Sequence, residues 1–465
     1  MTERQKVTAL SSRSDRSRAE TLSSGVKWKY AGMSVLIFVV LFSVLQAASK
    51  SFQQASSLGV VLTTPLAVTD SDDLQMIHPF PNTNAGIHVF NDQLAVWKMS
   101  EAQFEFAATH YAGTQKVFAS DVRRLRSHNP NFVVLNYRLG LGLGYQGTTG
   151  DCEPNGVWTE VIEGEKRLRE YPENPPAEWF FKWQGDPVFF CDWGWYVMDI
   201  SNPSWRNYWT GEVLRQLQVN AADGVFMDSL LPPNYYGGDR FDPDLPVVDQ
   251  AFEEAWSARI EDFIAYGQSG KLADYYLIAN AGAWITGRDN TDYSGADGIM
   301  VEEFGRLSGG EYFSAQGGDW QLQMNRILHL VGLDKVILLQ QYVVNKEDVE
   351  DRLFLLGSYL LVKGQHTFLN IEFSAEPEWF PEYEIPIGIP VGGTPRSISS
   401  LWRSDLGVYA RTYSNGMVLV NPSDQTPQIV LEKTYYRAIP FGGGIVPADG
   451  DVSGWKVDYE PVTNV

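Results

Sequence analysis

Short apolar runs alternate along this chain with longer segments whose apolar residues recur every three or four positions. The short runs are rich in β-branched and aromatic residues and predict eight strands, at 86–90, 132–137, 196–200, 224–228, 276–280, 298–302, 336–340 and 367–371. The longer segments predict helices, most clearly at 203–218, 248–266, 320–330 and 346–363. Almost wholly apolar strands that alternate with helices predict a parallel sheet covered on its outer side. Eight such units in about 285 residues predict an α/β fold, a (β/α)8 TIM barrel over residues 84–385.

The pattern changes after about residue 385, where a Gly- and Pro-rich passage interrupts the alternation. Two strand-like runs then flank Ser414-Asn415-Gly416. Asn-Gly between alternating runs is a strong hairpin signal. Residues 395–465 are therefore predicted to form a small C-terminal antiparallel β domain.

The N-terminal region has a different character. Residues 30–49, between Lys29 and Lys50, carry no charge, and this is the length that crosses the hydrocarbon core of a bilayer. Residues 1–30 contain seven Lys and Arg against three Asp and Glu, and a basic flank predicts an inside N-terminus. We predict a basic cytoplasmic tail (1–29), an N-terminal transmembrane helix that acts as a signal anchor (30–49) and a Ser/Thr/Gln-rich stalk (50–83). The alternative is a cleaved signal peptide and a secreted protein.

Both alternatives place the body outside the cytoplasm, at the cell membrane or secreted. An oxidising compartment would allow Cys152 and Cys191 to form a disulfide, although two free thiols remain an alternative. The net charge of −21 and the pI of about 4.7 argue against nucleic acid as a partner, because phosphates require a basic surface. A neutral or cationic ligand fits this charge better.

Polar residues stand at the predicted carboxyl ends of the strands, where a barrel of this type carries its functional groups. They are Asn136, Tyr137, Asp199, Asp228, Asn280, Glu302, Glu303, Gln340, Gln341 and Asn370. Carboxylates and amides bind hydroxyl groups and exchange protons, and the set contains no histidine or cysteine. We therefore expect neither a metal site nor a cofactor.

Two strand segments share one pattern that ends in an acid. Residues 222–228 read ADGVFMD and residues 296–302 read ADGIMVE, so Asp228 and Glu302 reach the barrel mouth in the same register. The register also favours Glu302 over Glu303, because neighbouring side chains on a strand face opposite ways. Two carboxylates across a barrel mouth fit glycoside hydrolysis, in which one acid protonates the leaving oxygen and the other attacks the anomeric carbon or activates water. We predict Asp228 as nucleophile or base and Glu302 as acid. The alternative is that each acid only holds a loop or binds a sugar hydroxyl.

Several motifs in this order resemble a known group of barrels. DGVFMDS and DGIMVEEF, with MDISNPSWRNYW before them and VYARTYSNGMVLVNPSD after the barrel, resemble uncharacterised glycosyl-hydrolase-like barrel families related to α-galactosidase-type enzymes. Polygalactosaminidase barrels are similar in outline. The resemblance covers about residues 84–435. It implies that Asp228 and Glu302 are catalytic and that Asp199, Asn280 and Asn370 contact sugar.

Further substrate contacts are predicted from side-chain type. Glu303 and Gln340 lie at strand ends, and Tyr137 and Trp195 lie in or beside mouth loops, where their rings can stack on sugars. The predicted function is a glycoside hydrolase that acts on an extracytoplasmic polysaccharide or glycoconjugate. Two rivals stay open: a non-catalytic carbohydrate-binding or structural surface protein, and a lyase, which usually needs a Lys, His or metal at the strand ends.

Overall fold

The computed structural model describes residues 76–464, apart from 145–151, 153–158, 162–167, 171, 173, 308–312, 314–317, 344 and 424–426. The predicted tail and anchor, and the stalk as far as residue 75, lie outside the described residues. Within the described part, no helix is both long and apolar enough to cross a membrane. The anchor at 30–49 therefore stays a prediction.

Eight parallel strands form the main sheet and follow one another in chain order. They are β1 (Val89–Asn91), β2 (Tyr111–Gln115), β3 (Val133–Leu139), β4 (Gly224–Asp228), β5 (Tyr276–Asn280), β6 (Gly298–Val301), β7 (Val336–Tyr342) and β8 (Thr367–Glu372). The backbone N–H of Leu369 on β8 donates to the carbonyl of His88 just before β1, at 2.9 Å. This bond brings the last strand to the first, so the sheet curls into a nearly closed barrel. The predicted barrel is confirmed.

Six α-helices lie between these strands in the described part of the chain: α1 (Glu101–His110), α2 (Ala119–His128), α3 (Pro203–Asn220), α4 (Gln250–Gln268), α5 (Asp319–Gly332) and α6 (Val349–Val362). Local signals explain several helix starts. The Asn202 side chain accepts bonds from the backbone N–H groups of Ser204 and Trp205, with Pro203 in the first turn. The start of α6 is capped by Asp348. All four predicted helices are present, with ends shifted by no more than a few residues.

One predicted barrel strand was wrong and one real strand was missed. Residues 196–200 do not join the barrel: Trp195–Val197 pairs antiparallel with Gly142–Gly144 and Phe189–Phe190 in a four-stranded sheet completed by Phe241–Asp242. The second barrel strand is β2, which begins directly after α1. One strand before residue 224 is lost from the predicted barrel and one is gained. The strands that carry Asp228 and Glu302 therefore remain the fourth and sixth, as the sequence predicted.

The barrel interior is packed with side chains that alternate along the strands. Phe90, Leu135, Phe226, Ile278, Met300, Leu338 and Phe368 form one buried cluster inside the sheet. Phe80, from the segment before β1, joins this cluster, with its ring centroid 5.0 Å from that of Tyr276 and 5.6 Å from that of Phe368. Val225 and Met227 belong instead to the larger cluster that packs the sheet against the helices. Residues of the same parity as Phe226 therefore point into the barrel.

Small antiparallel sheets surround the barrel. In the long β3–α3 connection, Thr159–Val161 pairs with Leu168–Glu170 and Lys182–Trp183 pairs with Asp186–Pro187. After β8, a three-stranded sheet comprises Trp402–Arg403, Val408–Tyr413 and Gly416–Val420. Two two-stranded sheets accompany it: Glu378–Trp379 pairs with Gly444–Ile445, and Val430–Phe441 pairs with Lys456–Asn464. Tyr413 is in register with Gly416, so the predicted hairpin turns at Ser414 and Asn415. Antiparallel sheets do follow the barrel, as predicted.

Candidate active site

Each of the eight strands delivers polar side chains to its carboxyl end. The parity of the interior cluster predicts which ones face inward, because every second residue of a strand shares a face. Steps of two residues from the interior cluster toward the carboxyl end of each strand lead to the inward-facing polar residues. These are Asp92, Lys116, Tyr137, Asp228, Asn280, Glu302, Gln340, Tyr342, Asn370 and Glu372. Hydrogen bonds and charges connect these residues with one another, so they form a single polar cluster at the barrel mouth.

Asp228 accepts three hydrogen bonds within this cluster. Its Oδ2 accepts from the Tyr137 hydroxyl at 2.7 Å, and its Oδ1 accepts from the Asn280 amide at 2.7 Å and from the Ser229 backbone N–H at 2.8 Å. Ser229 has a φ of 57°, which turns the chain sharply after the acid and brings its own N–H onto that carboxylate. An ionised carboxylate, which only accepts hydrogen bonds, matches these three donors.

Glu302 lies next to Asp228 and has a different environment. The Asn280 side chain that donates to Asp228 also acts on Glu302, where it favours the charged form and so lowers the pKa. Loss of hydration, reinforced by the negative charges of Asp228 and Asp92, raises the pKa of Glu302 to about 8. Glu302 therefore holds a proton at neutral pH.

The repeated Ala-Asp-Gly turns anchor both acidic strands at the opposite end of the barrel. Asp223 accepts from the Val134 backbone N–H on β3 at 2.7 Å, and Asp297 accepts from the Leu277 backbone N–H on β5 at 2.8 Å. A Cβ at Gly298 would lie 2.2 Å from the carbonyl oxygen of Val336, so only glycine permits this approach. The same turn thus fixes the register of both strands and carries each acid to the mouth.

An ion pair of β1 and β2 adjoins Glu302 and was not found from the sequence. Lys116 Nζ lies 2.8 Å from Oδ2 of Asp92, and Gln115 donates to Oδ1 of the same buried carboxylate. The Tyr342 hydroxyl lies 3.4 Å from both Asp92 Oδ2 and Glu302 Oε1. Asp92 follows the predicted end of β1 by two residues, so a longer strand would have revealed it. Lys116 follows the missed strand β2.

Strands β7 and β8 add a buried carboxyl that is held by amides. Glu372 Oε2 accepts from Asn370 at 3.0 Å and from Gln340 at 3.2 Å, and Asn370 also donates to Gln340 at 2.9 Å. Burial, with the charges of Asp92 and Glu378, raises the pKa of Glu372 well above its usual range. Asn370 and Gln340, both predicted from the sequence, belong to this network. Glu372 lies one residue beyond the predicted strand end.

Glu303 departs from this arrangement. It has a φ of 55° and follows Glu302 on the turn out of β6. Its backbone carbonyl accepts from the side chain of Gln323 on α5 at 3.3 Å. The parity that points Glu302 inward is therefore not shared by Glu303.

Two predicted substrate contacts need correction. Asp199 does not end a barrel strand: its Oδ1 accepts from Ser201 and lies 3.4 Å from Arg259 on α4, so it faces the outer helices. Trp195 is only 4% exposed, and its ring packs edge-on against Phe190, with a centroid separation of 5.0 Å. A ring so enclosed has no open face for a sugar.

The loops around the mouth contribute two further features. Cys152 and Cys191 form a disulfide, with their Cα atoms 4.9 Å apart. Burial, together with the charges of Asp228 and Glu302, raises the pKa of Tyr236, so its phenol stays neutral beside the two acids. In the part of the chain that the structure describes, His, Cys, Asp and Glu side chains form no group that could hold a metal ion.

Similarity to curated proteins and to solved structures is weak. No curated protein matches the chain. Solved structures with a similar arrangement include Ega3 of Aspergillus fumigatus in complex with galactosamine, at 8% identity and a TM-score of 0.32 over 64% of this chain and 94% of that one. They also include the maltogenic α-amylase AmyB of Thermotoga neapolitana, at 11% identity and a TM-score of 0.35 over 62% of this chain and 67% of that one. A third is the pyruvate kinase of Cryptosporidium parvum with ADP, at 10% identity and a TM-score of 0.33 over 66% of this chain and 65% of that one. Likenesses this low carry no argument about function.

The family comparison is specific and covers most of the barrel. The sequence profile described as hypothetical glycosyl hydrolase family 15 matches residues 126–417. That range contains β4 and β6, with Asp228 and Glu302, and it runs into the hairpin after the barrel. Because the match spans more than half of the chain, this protein belongs to hypothetical glycosyl hydrolase family 15.

Proposed function

We propose that this protein is a glycoside hydrolase that cleaves an extracytoplasmic polysaccharide or glycoconjugate with Asp228 and Glu302. One observation carries the proposal: two neighbouring acids at the barrel mouth lie in different environments. Asp228 receives three hydrogen bonds that suit an anion, whereas the pKa of Glu302 is raised to about 8. A charged nucleophile beside a protonated acid is the arrangement that glycoside hydrolysis requires.

We propose a retaining mechanism, which requires the two acids to lie close together. Retaining enzymes hold their two carboxyl groups about 5–5.5 Å apart, whereas inverting enzymes leave about 6.5–9.5 Å for a water molecule. The negative charge of Asp228 contributes to the raised pKa of Glu302, as expected of two carboxyl groups that lie close together. We therefore assign Asp228 as nucleophile and Glu302 as acid and then base.

The reaction proceeds in two balanced steps. Asp228 attacks the anomeric carbon while the Glu302 proton moves to the departing glycosidic oxygen, so one C–O bond forms as another breaks. The deprotonated Glu302 then takes a proton from water, whose oxygen attacks the anomeric carbon and releases Asp228. One water molecule is consumed, and Glu302 regains its proton.

The surrounding residues have roles that follow from their positions. Tyr137 and Asn280 orient the nucleophile through direct hydrogen bonds. Gln340 and Asn370 are amides that can bind sugar hydroxyls beside Glu372. Several acids in one mouth stabilise the positive charge that develops on the sugar ring.

Release of reducing ends from a panel of envelope polysaccharides tests the proposal. Asp228→Asn and Glu302→Gln should each reduce release by at least about 100-fold, because each removes a group that acts only in the transition state. Asp262→Asn and Glu105→Gln, at exposed helical sites, are matched controls that should keep the parent activity. Equal release from the Asp228 and Glu302 variants and from the parent would refute hydrolysis by these two acids. Binding of a polysaccharide without any cleavage would instead support the non-catalytic alternative.

We also propose that the folded body lies outside the cytoplasm, held by the predicted anchor at 30–49 or released after cleavage. The disulfide between Cys152 and Cys191 supports this, because disulfides persist in oxidising compartments. Protease treatment of intact cells should digest the body, and the N-terminal sequence of the mature protein distinguishes an anchor from a cleaved leader. Protection of the body in intact cells would contradict the proposal.

A further inference from the structure

A cavity of about 240 Å³ lies between the long C-terminal ribbon and the segment that follows β8. The ribbon is the two-stranded sheet of Val430–Phe441 and Lys456–Asn464. Three aromatic residues are among those that line the cavity. The walls include Trp379, Pro381 and Glu384 from the segment after β8, and Trp455, Val457 and Tyr459 from the ribbon side. We call it the ribbon cavity.

Two of the aromatic rings at the ribbon cavity are accessible to solvent. Tyr459 is 46% exposed and Trp455 is half-buried, whereas Trp379 is buried. A Cβ at Gly442 would lie 2.4 Å from Cδ1 of Trp455, and Gly442 has a φ of 87°, so glycine allows the indole to lie directly against the ribbon backbone. The Trp455 ring is therefore held in place before any ligand binds.

Glu384 adds an accessible carboxylate at the edge of the ribbon cavity. It is exposed and ends the short helix Pro381–Glu384. None of the hydrogen bonds or ion pairs among the described residues involves its side chain, and the nearby Lys456 pairs instead with Asp458 at 2.9 Å. A carboxylate of this kind accepts hydrogen bonds from hydroxyl groups. The ribbon cavity thus combines accessible rings with a free acceptor.

The two faces of the ribbon differ in charge. The strand register places Tyr436, Ala438, Pro440, Val457, Tyr459 and Pro461 on one face, and none of these side chains is charged. On the opposite face Arg437 pairs with Glu460, and Lys456 pairs with Asp458. Tyr436, on the uncharged face, is 67% exposed. An uncharged surface with exposed rings therefore continues from the ribbon cavity along the ribbon.

We propose that the ribbon cavity and the uncharged face of the ribbon bind a neutral polysaccharide chain, separately from the catalytic mouth. The C–H faces of sugar rings pack on Trp455 and Tyr459, while sugar hydroxyls donate to Glu384. Apolar walls with a few polar groups are typical of sites for small ring-shaped ligands. Carbohydrate is also the class of ligand that the family description of the chain implies.

The same observations disfavour a second copy of this chain as the occupant. A copy that docked through the same uncharged face would bury the Glu384 carboxylate without supplying a counter-charge, which is costly. Sugar hydroxyls would instead replace the hydrogen bonds that this carboxylate makes to water.

The ribbon cavity lies on the side of the barrel that carries the mouth. Glu378 precedes Trp379 in the cavity wall, and its negative charge contributes to the raised pKa of Glu372 at the end of β8. A polymer held at the ribbon would therefore be concentrated near the mouth. Tyr459→Ala should then raise KM for a polysaccharide and leave KM for a short oligosaccharide unchanged. This kinetic consequence rests on the proposed function, whereas binding at the ribbon does not.

Native electrophoresis of the full chain through gels that contain dextran, mannan, galactan or hydroxyethyl cellulose tests the binding. At least one polysaccharide should retard the parent, and Tyr459→Ala should weaken that affinity at least about fivefold, because it removes an exposed ring. Glu384→Ala, at an exposed site that needs no repacking, should weaken it about threefold. Phe441→Ala is the matched control and should keep the parent retardation, because Phe441 is 47% exposed on the charged face of the same ribbon.

Retardation of the parent by none of the four polysaccharides, or equal retardation of the parent, Tyr459→Ala and Glu384→Ala, would overturn the proposal. Sedimentation of the chain without sugar tests the other occupant: a dimer that Tyr459→Ala dissociates would assign the face to a second copy and would also overturn it. Retardation of Glu302→Gln, together with no hydrolysis by the parent, would leave the ribbon site standing and remove the proposed function.

Discussion

The protonation of Glu302 depends on Asp92, which leads to a quantitative prediction. The Tyr342 hydroxyl lies 3.4 Å from an oxygen of each acid, so these oxygens are at most about 7 Å apart. At that distance an effective dielectric constant of 20 gives about 2.4 kcal/mol between two charges, equivalent to about 1.7 pH units. Because Glu302 is partly exposed and water weakens the interaction, we expect the charge of Asp92 to raise the pKa of Glu302 by about one pH unit.

Asp92→Asn should therefore lower the pKa of Glu302 from about 8 to about 7. The substitution removes one negative charge and keeps an amide that can bond to Gln115. It also leaves Lys116 without its partner, and this cation favours the charged form of Glu302, so both effects act in the same direction. The basic limb of the pH dependence of kcat/KM should move down by the same amount.

Infrared difference titration measures this pKa without any substrate. The C=O stretch of the protonated carboxyl is assigned to Glu302 by its absence in Glu302→Gln, and the titration is repeated in Asp92→Asn. Asp262→Asn, at an exposed site, is the control and should leave the midpoint unchanged. A midpoint in the ordinary range for a glutamate in the parent protein, or a midpoint that Asp92→Asn leaves in place, would refute the reasoning.

Three further predictions concern stability and catalysis. Gly298→Ala forces a Cβ to 2.2 Å from the Val336 carbonyl oxygen and should lower the free energy of unfolding by about 3 kcal/mol. Gly287→Ala, where a Cβ would meet no atom within 4 Å, should leave Tm almost unchanged. Equal Tm values for the two variants would contradict the packing argument. Burial raises the pKa of Glu378 to about 8, so its folded form retains a proton that the unfolded chain loses near pH 4.5. Glu378 should therefore make stability fall as pH rises from about 5 to 8, by up to roughly 1.4 kcal/mol per pH unit. Glu378→Gln should remove this part of the slope of Tm against pH, whereas the parts due to Glu302 and Glu372 should remain. Tyr137→Phe removes the hydroxyl that lies 2.7 Å from the nucleophile and should lower kcat about tenfold with little change in Tm; unchanged kcat would exclude a positioning role.

The sequence predicted the strands that carry the two acids because each contains a Gly followed by apolar residues and an acid. Strand β2 was missed for an equally local reason. Its sequence, YAGTQ, has a single β-branched residue and follows α1 without a break. A Cβ at Gly113 would lie 2.3 Å from the Val133 carbonyl oxygen, so close packing requires the glycine that obscures the strand signal. Lys116 directly follows β2, so it was not among the predicted site residues.

Other errors came from strand ends and from tertiary pairing. Strands β7 and β8 extend beyond their predicted ends, so Tyr342 and Glu372 were overlooked. The run around Trp195 has the composition of a strand, and it is one, but it pairs antiparallel outside the barrel. Composition predicts extended backbone but does not identify the partner strand, and the misplacement of Asp199 follows from that gap.

The shared amide of Asn280 has a consequence for how the two acids can be studied. When Asp228 is replaced, the amide is released from its bond and its action on Glu302 changes as well. The loss measured in one single variant thus includes part of the response of its neighbour. The free-energy changes of the two single variants will not sum to that of the double variant. The coupling between the acids therefore has to be measured with a double-mutant cycle of the parent, both single variants and the double variant.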